Sequence, residues 1–363
     1  MTSRRDFLKM TMAVTASAVL PACHVFNNET WWVSCCTNKQ GEHFAAALNQ
    51  NGELINLVAL PARGHQIIAA PNRGGRALIF ARRPGTYLME VDFQTGEIIN
   101  QISSEAGFHF YGHGVVSADN SVFFTTENDH HNDLGMVVVR DAQTLKPVDK
   151  FLSGGVGPHE LKLMPDNKTL VIANGGIKTH PSQPRKKLNL ASMQPNLTYL
   201  STNNGQIVGQ YEVDNKQLSI RHLDVSQSGK VVIGMQYQGA KNDLTKLVYC
   251  HQGEDSLTSF NAPESIWRRM NQYTASVAVN SSEDKVAIAC PRGNMMTYWQ
   301  LSSGQFIQAK RISDGAGVTL NQSVFVATNG KGQVFSVNHD SVKLIKQHNS
   351  LKWDNHLNSI ELV

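Results

Sequence analysis

Apolar residues come in short alternating runs separated by polar turns, and the arrangement repeats along the chain. The best-formed unit covers residues 154–176 (GGVGPHELKLMPDNKTLVIANGG). It has a Gly-rich turn, His159, an alternating segment with Leu161 and Leu163, a polar turn at 165–168 and an apolar run at 169–173. Period-two alternation interrupted by such turns predicts a β-hairpin. Similar hairpins begin at His65, His113 and His222, recur without histidine near Ala275 and Gly317, and a last half-unit begins at His356. The starts lie roughly 40 to 60 residues apart, with four short strands to a unit, which marks a β-propeller. The predicted fold is all-β, a seven-bladed β-propeller.

The first unit holds three predicted strands, at 31–36, 43–48 and 54–60, and lacks a fourth. The segment 356–363 (HLNSIELV) has no partner of its own and is expected to supply the missing innermost strand. N- and C-terminal strands would then pair in one blade and close the ring, leaving no unpaired sheet edge. A single propeller domain over 24–363 follows. In the fourth unit an insertion at 175–196 lengthens the loop after the second strand. Its cations Lys178, Arg185, Lys186 and Lys187, with His180, suggest a cover that folds over a binding mouth, since loops of this length are commonly functional.

Residues 1–23 are an export signal. Ser3-Arg4-Arg5-Asp6-Phe7-Leu8-Lys9 carries the twin-arginine pattern, and an apolar run at 10–20 follows that is too short for a lasting membrane anchor. Leu20-Pro21-Ala22-Cys23 resembles a lipobox, which would put a lipid on Cys23 as the only membrane attachment; ordinary signal cleavage after Ala22 is the alternative. The destination is the periplasm. Net charge is only +4, and the leader supplies part of it, so a nucleic-acid partner is not expected. Cys35, Cys36, Cys250 and Cys290 lack metal-type spacing and read as buried strand thiols.

Candidate chemistry gathers at one end of the propeller. The innermost strands line the axis, and His65, His113, His159, His222 and His356 all stand where those strands begin. They are expected to ring one mouth of the channel. Neutral imidazole is the commonest metal ligand, so the ring suits a transition metal such as iron, copper or zinc. The competing reading is structural, because Gly64-His65 and Gly112-His113 copy the Gly-His pair of WD-type propellers, although the matching Trp-Asp pairs are absent. The loop containing Glu127, Asp129, His130 and His131 adds further candidate metal ligands. His159 and Glu160 are the candidate catalytic pair. Arg82, Arg83, Arg292 and Lys331 leave second strands toward the same mouth and, with Lys178, His180 and Arg185, suit a small anionic ligand. There is no G-x-S-x-G, Walker loop, H-E-x-x-H or C-x-x-C-H.

The leader, YGHGVVSADN, GVGPHELKLMPDNKTLVIANGGIKTHP and KLNLASMQPNL together resemble a domain-of-unknown-function family of exported bacterial propellers, often encoded beside imelysin-type iron-uptake proteins. The resemblance implies a periplasmic seven-bladed propeller linked to iron acquisition, with imelysin-like proteins as partners. The functional expectation is an accessory protein that holds a metal, a metal chelate or a small anion at the histidine-lined mouth. A lactonase-like hydrolase or metal-dependent oxidoreductase, and a protein-interaction scaffold, are the alternatives.

Overall fold

The computed structural model describes residues 30–183, 186–338 and 340–362. Seven antiparallel sheets, six of them four-stranded, are arranged as the blades of a propeller. The proposed lipidation site at Cys23 and the cation Arg185 lie outside the described residues. Each blade follows the alternation in its sequence. In Leu170–Val171–Ile172–Ala173 of blade 4, for example, every residue is fully buried because both faces of a central strand pack against neighbouring blades. Buried apolar clusters accordingly run between blades; one large cluster joins residues of blades 4, 5 and 6, from Val171 to Leu301.

Blade 1 closes as the sequence predicts, with one refinement. Thr30–Asn38 pairs with His43–Leu48 on one side, and on the other with two short C-terminal strands, Asn358–Glu361 and Leu351–Trp353. His356 lies in the break between those two strands instead of opening a single one. The chain steps out of register there, and that step turns the histidine toward the axis.

The same device recurs around the channel. Innermost strands shift register at Gly64/Ile67, Phe110/Gly114, Pro158/Glu160, Ile220/His222 and Gly315/Val318. Such bulges insert unpaired residues that bend the strand and re-aim side chains. Four of the five carry a histidine within or at the edge of the shift. Blade 6 differs: its innermost strand is only Val277–Val279, and Ser276 stands before it. The alternation did not disclose the helix Glu264–Met270, which joins blades 5 and 6 and buries Trp267 and Met270. Cys35, Cys36, Cys250 and Cys290 are buried free thiols, and burial pushes Cys36 and Cys290 up to about 12, which disfavours their thiolates as ligands.

Candidate metal centre

The five histidines meet on the axis. His65, His113, His159, His222 and His356 are all buried, from 0% exposed at His113 to 8% at His159. His113 is the hub. Its ring centroid lies 4.8 Å from His65, 5.0 Å from His159, 5.9 Å from His222 and 4.6 Å from His356. Two triads of donor atoms result, His65–His113–His356 and His113–His159–His222, each with its atoms within 4.8 Å of one another. Glycine makes room for this crowding. Gly112 has φ +108°, and a Cβ there would stand 2.7 Å from Cδ2 of His65. The Gly-His pair thus serves ring packing in addition to the turn.

Two carboxylates orient the ring from behind. His65 Nδ1 lies 3.4 Å from Asp354 Oδ1, and His222 Nδ1 lies 3.1 Å from Glu160 Oε2. A carboxylate can only accept here, so each Nδ1 donates, and a ring in its neutral form then keeps its lone pair on Nε2. This carboxylate–histidine pairing typically fixes metal ligands and raises their basicity. Asp354 is itself held by Arg63, whose Nε lies 2.5 Å from Oδ2. Burial alone would raise the Asp354 pKa, but His65 and Arg63 hold it well below the usual carboxylate range. Glu160 Oε2 also accepts from the Leu223 amide at 3.3 Å. Its other oxygen, Oε1, lies 3.9 Å from Nδ1 of His113, beyond hydrogen-bond distance, so Glu160 positions His222 and faces the hub of the ring.

Burial keeps the rings neutral. It lowers His65 to about 4 despite Asp354, and it lowers His113, His159 and His356 well below their ordinary value, helped by the neighbouring imidazoles. Neutral rings are the ligating form. Nδ1 of His113, Nε2 of His222 and Nε2 of His356 are buried with no hydrogen-bond partner. Buried polar atoms are nearly always satisfied, so these three nitrogens are open to a partner beyond the protein's own groups. Five clustered imidazoles, four of them pushed toward the neutral form by burial, with two carboxylates behind them, fit a transition ion well.

The two sides of the ring differ in charge. On the strand-entry side lie Arg82, Arg83 and Arg221. Arg221, the unpaired residue of the blade 5 bulge, is 2% exposed; its Nε–H has no acceptor, and burial and then Arg83 bring its pKa down to about 9. Arg83 lies over the Tyr111 ring, 5.9 Å from its centroid, and its Nη1 is likewise unpartnered. Arg292 stacks on Tyr273 at 4.5 Å. Farther along the innermost strands, charges are paired: Lys162 Nζ lies 3.3 Å from Asp224 Oδ1, beside a cavity of about 130 Å³ lined also by Glu160, Ser276, His356 and Asn358.

The remaining sequence-derived candidates sit elsewhere. Glu127 turns into blade 3, where Arg140 takes its carboxylate at 2.7 Å, and Asp129 binds the amides of His131 and Asn132 as a turn. His130, His131 and His180 form a separate group over the buried His109: His130 lies 4.8 Å from His131, 5.0 Å from His180 and 6.2 Å from His109. Lys331 stands near Asp314 in blade 7. The insertion does reach across the arginine side. Lys178 pairs with Asp133 of blade 3 at 2.9 Å, Lys187 bonds Gln238 of blade 5, and Arg221, Arg292 and Arg83 join desolvation in lowering the Lys187 pKa. Sequence reasoning missed Arg221, Asp354 and Lys162. Each is adjacent to, or within three residues of, a ring histidine, in RHLD, WDNH and HELK.

Comparison with known proteins agrees with the fold. Residues 58–360 match the family described as protein of unknown function (DUF1513), and residues 1–21 match the twin-arginine translocation pathway signal sequence. No curated protein matches the chain. Among solved structures, Kuenenia stuttgartiensis hydrazine synthase is similar with a TM-score of 0.60 and 12% identity, over 87% of this chain and 95% of that one. At that identity the likeness extends to the fold alone.

Proposed function

The chain belongs to the DUF1513 family, and on that footing we propose that it is an exported propeller that binds a transition-metal ion on the histidine ring of its channel. The observation that carries this reading is the pair of buried histidine triads that share His113, together with three imidazole nitrogens in the same cluster that lack a hydrogen-bond partner. A purely structural ring would pair those atoms, because each unsatisfied buried donor or acceptor costs about 1–3 kcal/mol. His65 and His222 would serve as ligands through Nε2, with Asp354 and Glu160 holding them in place, while His113 is central to both triads. The export route fits such a load, since it carries folded proteins.

The physiological setting we propose is iron acquisition, with iron(II) as the ion and an imelysin-like protein as the exchange partner. Imidazole donors suit iron, copper and zinc alike, so ligand type does not select among them. The test is elemental analysis of protein recovered from the periplasm, paired with thermal melts of metal-free protein. Stoichiometric iron and a rise in Tm on adding iron(II) support the reading. Absence of any stoichiometric metal, with no Tm response to iron, copper or zinc, overturns it.

A further inference from the structure

We propose that the arginine side of the ring is a second site, for a small oxyanion such as a carboxylate, phosphate or sulfate, and that this anion and the ring's metal bind cooperatively. The inference rests on the metal reading for its coupling, but the anion site stands on separate residues. Arg221 is only 2% exposed, and among the described residues it has no ion-pair partner and no acceptor for Nε–H. Arg83 repeats the pattern with an unpartnered Nη1. Arg82 adds a third guanidinium close enough to act electrostatically on Arg221.

An uncompensated buried charge is costly, and proteins normally pair it. This chain has the means to do so, since it pairs Arg140 with Glu127 and Arg63 with Asp354. Leaving Arg221 and Arg83 open therefore points to an external partner. Guanidinium presents a planar fork of donors that matches carboxylate and phosphate oxygens. Tyr111 and the insertion enclose the same place: Arg83 lies over the Tyr111 ring, whose hydroxyl is 3.4 Å from Thr179 Oγ1. Lys187 is among the cations that feel Arg221 and Arg83.

Coupling follows from position. Arg221 directly precedes His222 on the bulged strand, so its uncompensated guanidinium charge stands beside the ring and opposes a cation there. An anion on the arginines removes that opposition. By linkage, the factor by which the anion tightens metal binding equals the factor by which the metal tightens anion binding.

The experiment is calorimetric titration of the metal-free full-length mature protein with sulfate, phosphate and acetate in turn, then cobalt(II) titration with and without saturating sulfate. Saturable anion binding is expected, weakened at least about 10-fold in Arg221→Met and in Arg83→Gln, with reciprocal tightening of cobalt(II) and sulfate. The three anions distinguish tetrahedral from planar oxyanions. Arg83→Gln alters a partly exposed residue and keeps the test valid should Arg221→Met misfold. Cobalt(II) binding without any saturable anion binding overturns this inference and leaves the metal reading standing. Anion binding without cobalt(II) binding supports the anion site but overturns the coupling and the metal reading together.

Discussion

Arg140 and Arg221 are about equally enclosed, at 1% and 2% exposed, yet their surroundings are opposite. Arg140 reaches Glu127 at 2.7 Å, Thr125 at 3.2 Å and the Leu145 carbonyl at 3.1 Å, inside blade 3. Arg221 stands beside the axis with an orphaned Nε–H and other guanidiniums for company. A buried charge kept for the fold arrives with its partners; one kept for a ligand waits for them. A milder form of the contrast runs through the ring, where Nδ1 of His65 and His222 leans on a carboxylate, while Nε2 of His222 and of His356 has no hydrogen-bond partner.

The sharpest way to break this comparison is to remove each arginine. Arg140→Met strands Glu127 and should destabilise the protein by about 3–5 kcal/mol in denaturant melts. Arg221→Met removes a charge that has no partner, so stability should stay level or rise. Equal losses in the two variants would show that Arg221 serves the fold.

Acid should act through the neutral ring. Unfolded imidazoles titrate near 6.5, whereas burial lowers His65 to about 4 and moves His113, His159 and His356 down as well. The folded state then binds fewer protons than the unfolded chain in this window. Stability present above pH 6.5 is therefore lost as pH falls toward 4, by about 3 kcal/mol for His65 alone. Melts of metal-free protein from pH 7 to 4 check this, and a bound metal should move the loss to lower pH. A flat profile would mean that the rings protonate freely in the fold.

Much of this architecture was legible in the sequence. Hairpin alternation and the recurring histidine marked seven blades, and the solitary 356–363 segment marked the closure, because a strand without a partner must find one. Asp354, Arg221 and Lys162 were not legible as site residues. Strict alternation assigns faces by parity, and the bulges at Pro158/Glu160 and Ile220/His222 break parity where the site is built. Glu127 shows the converse. It reads as a loop carboxylate by composition, but Val122–Asp129 remains a strand that far and turns it inward to Arg140. His109, His130 and His131 meet through the hairpin of blade 3, but His180 joins them only because the insertion returns across the face, which no local pattern encodes.

Smaller effects refine the picture. Asp354→Asn and Glu160→Gln take the charge from the groups that orient His65 and His222, and should weaken metal binding about 10- to 100-fold with little change in fold. Isothermal titration with zinc measures this; unchanged affinity would reduce both carboxylates to packing roles. Lys178→Ala breaks the exposed pair with Asp133, 36% and 54% accessible at its two side chains, and should cost less than about 1 kcal/mol. A larger loss in thermal melts would show that the insertion supports the body of the propeller.

Electron paramagnetic resonance of copper(II), added at one equivalent to metal-free protein and to its His113→Gln variant, tests the central claim most directly. The ring predicts a single copper species with superhyperfine splitting from several imidazole nitrogens, and its loss or replacement in the variant, because His113 belongs to both triads. A spectrum of weakly held copper with oxygen donors, or one identical in wild type and variant, would place the metal off the axis and contradict the account.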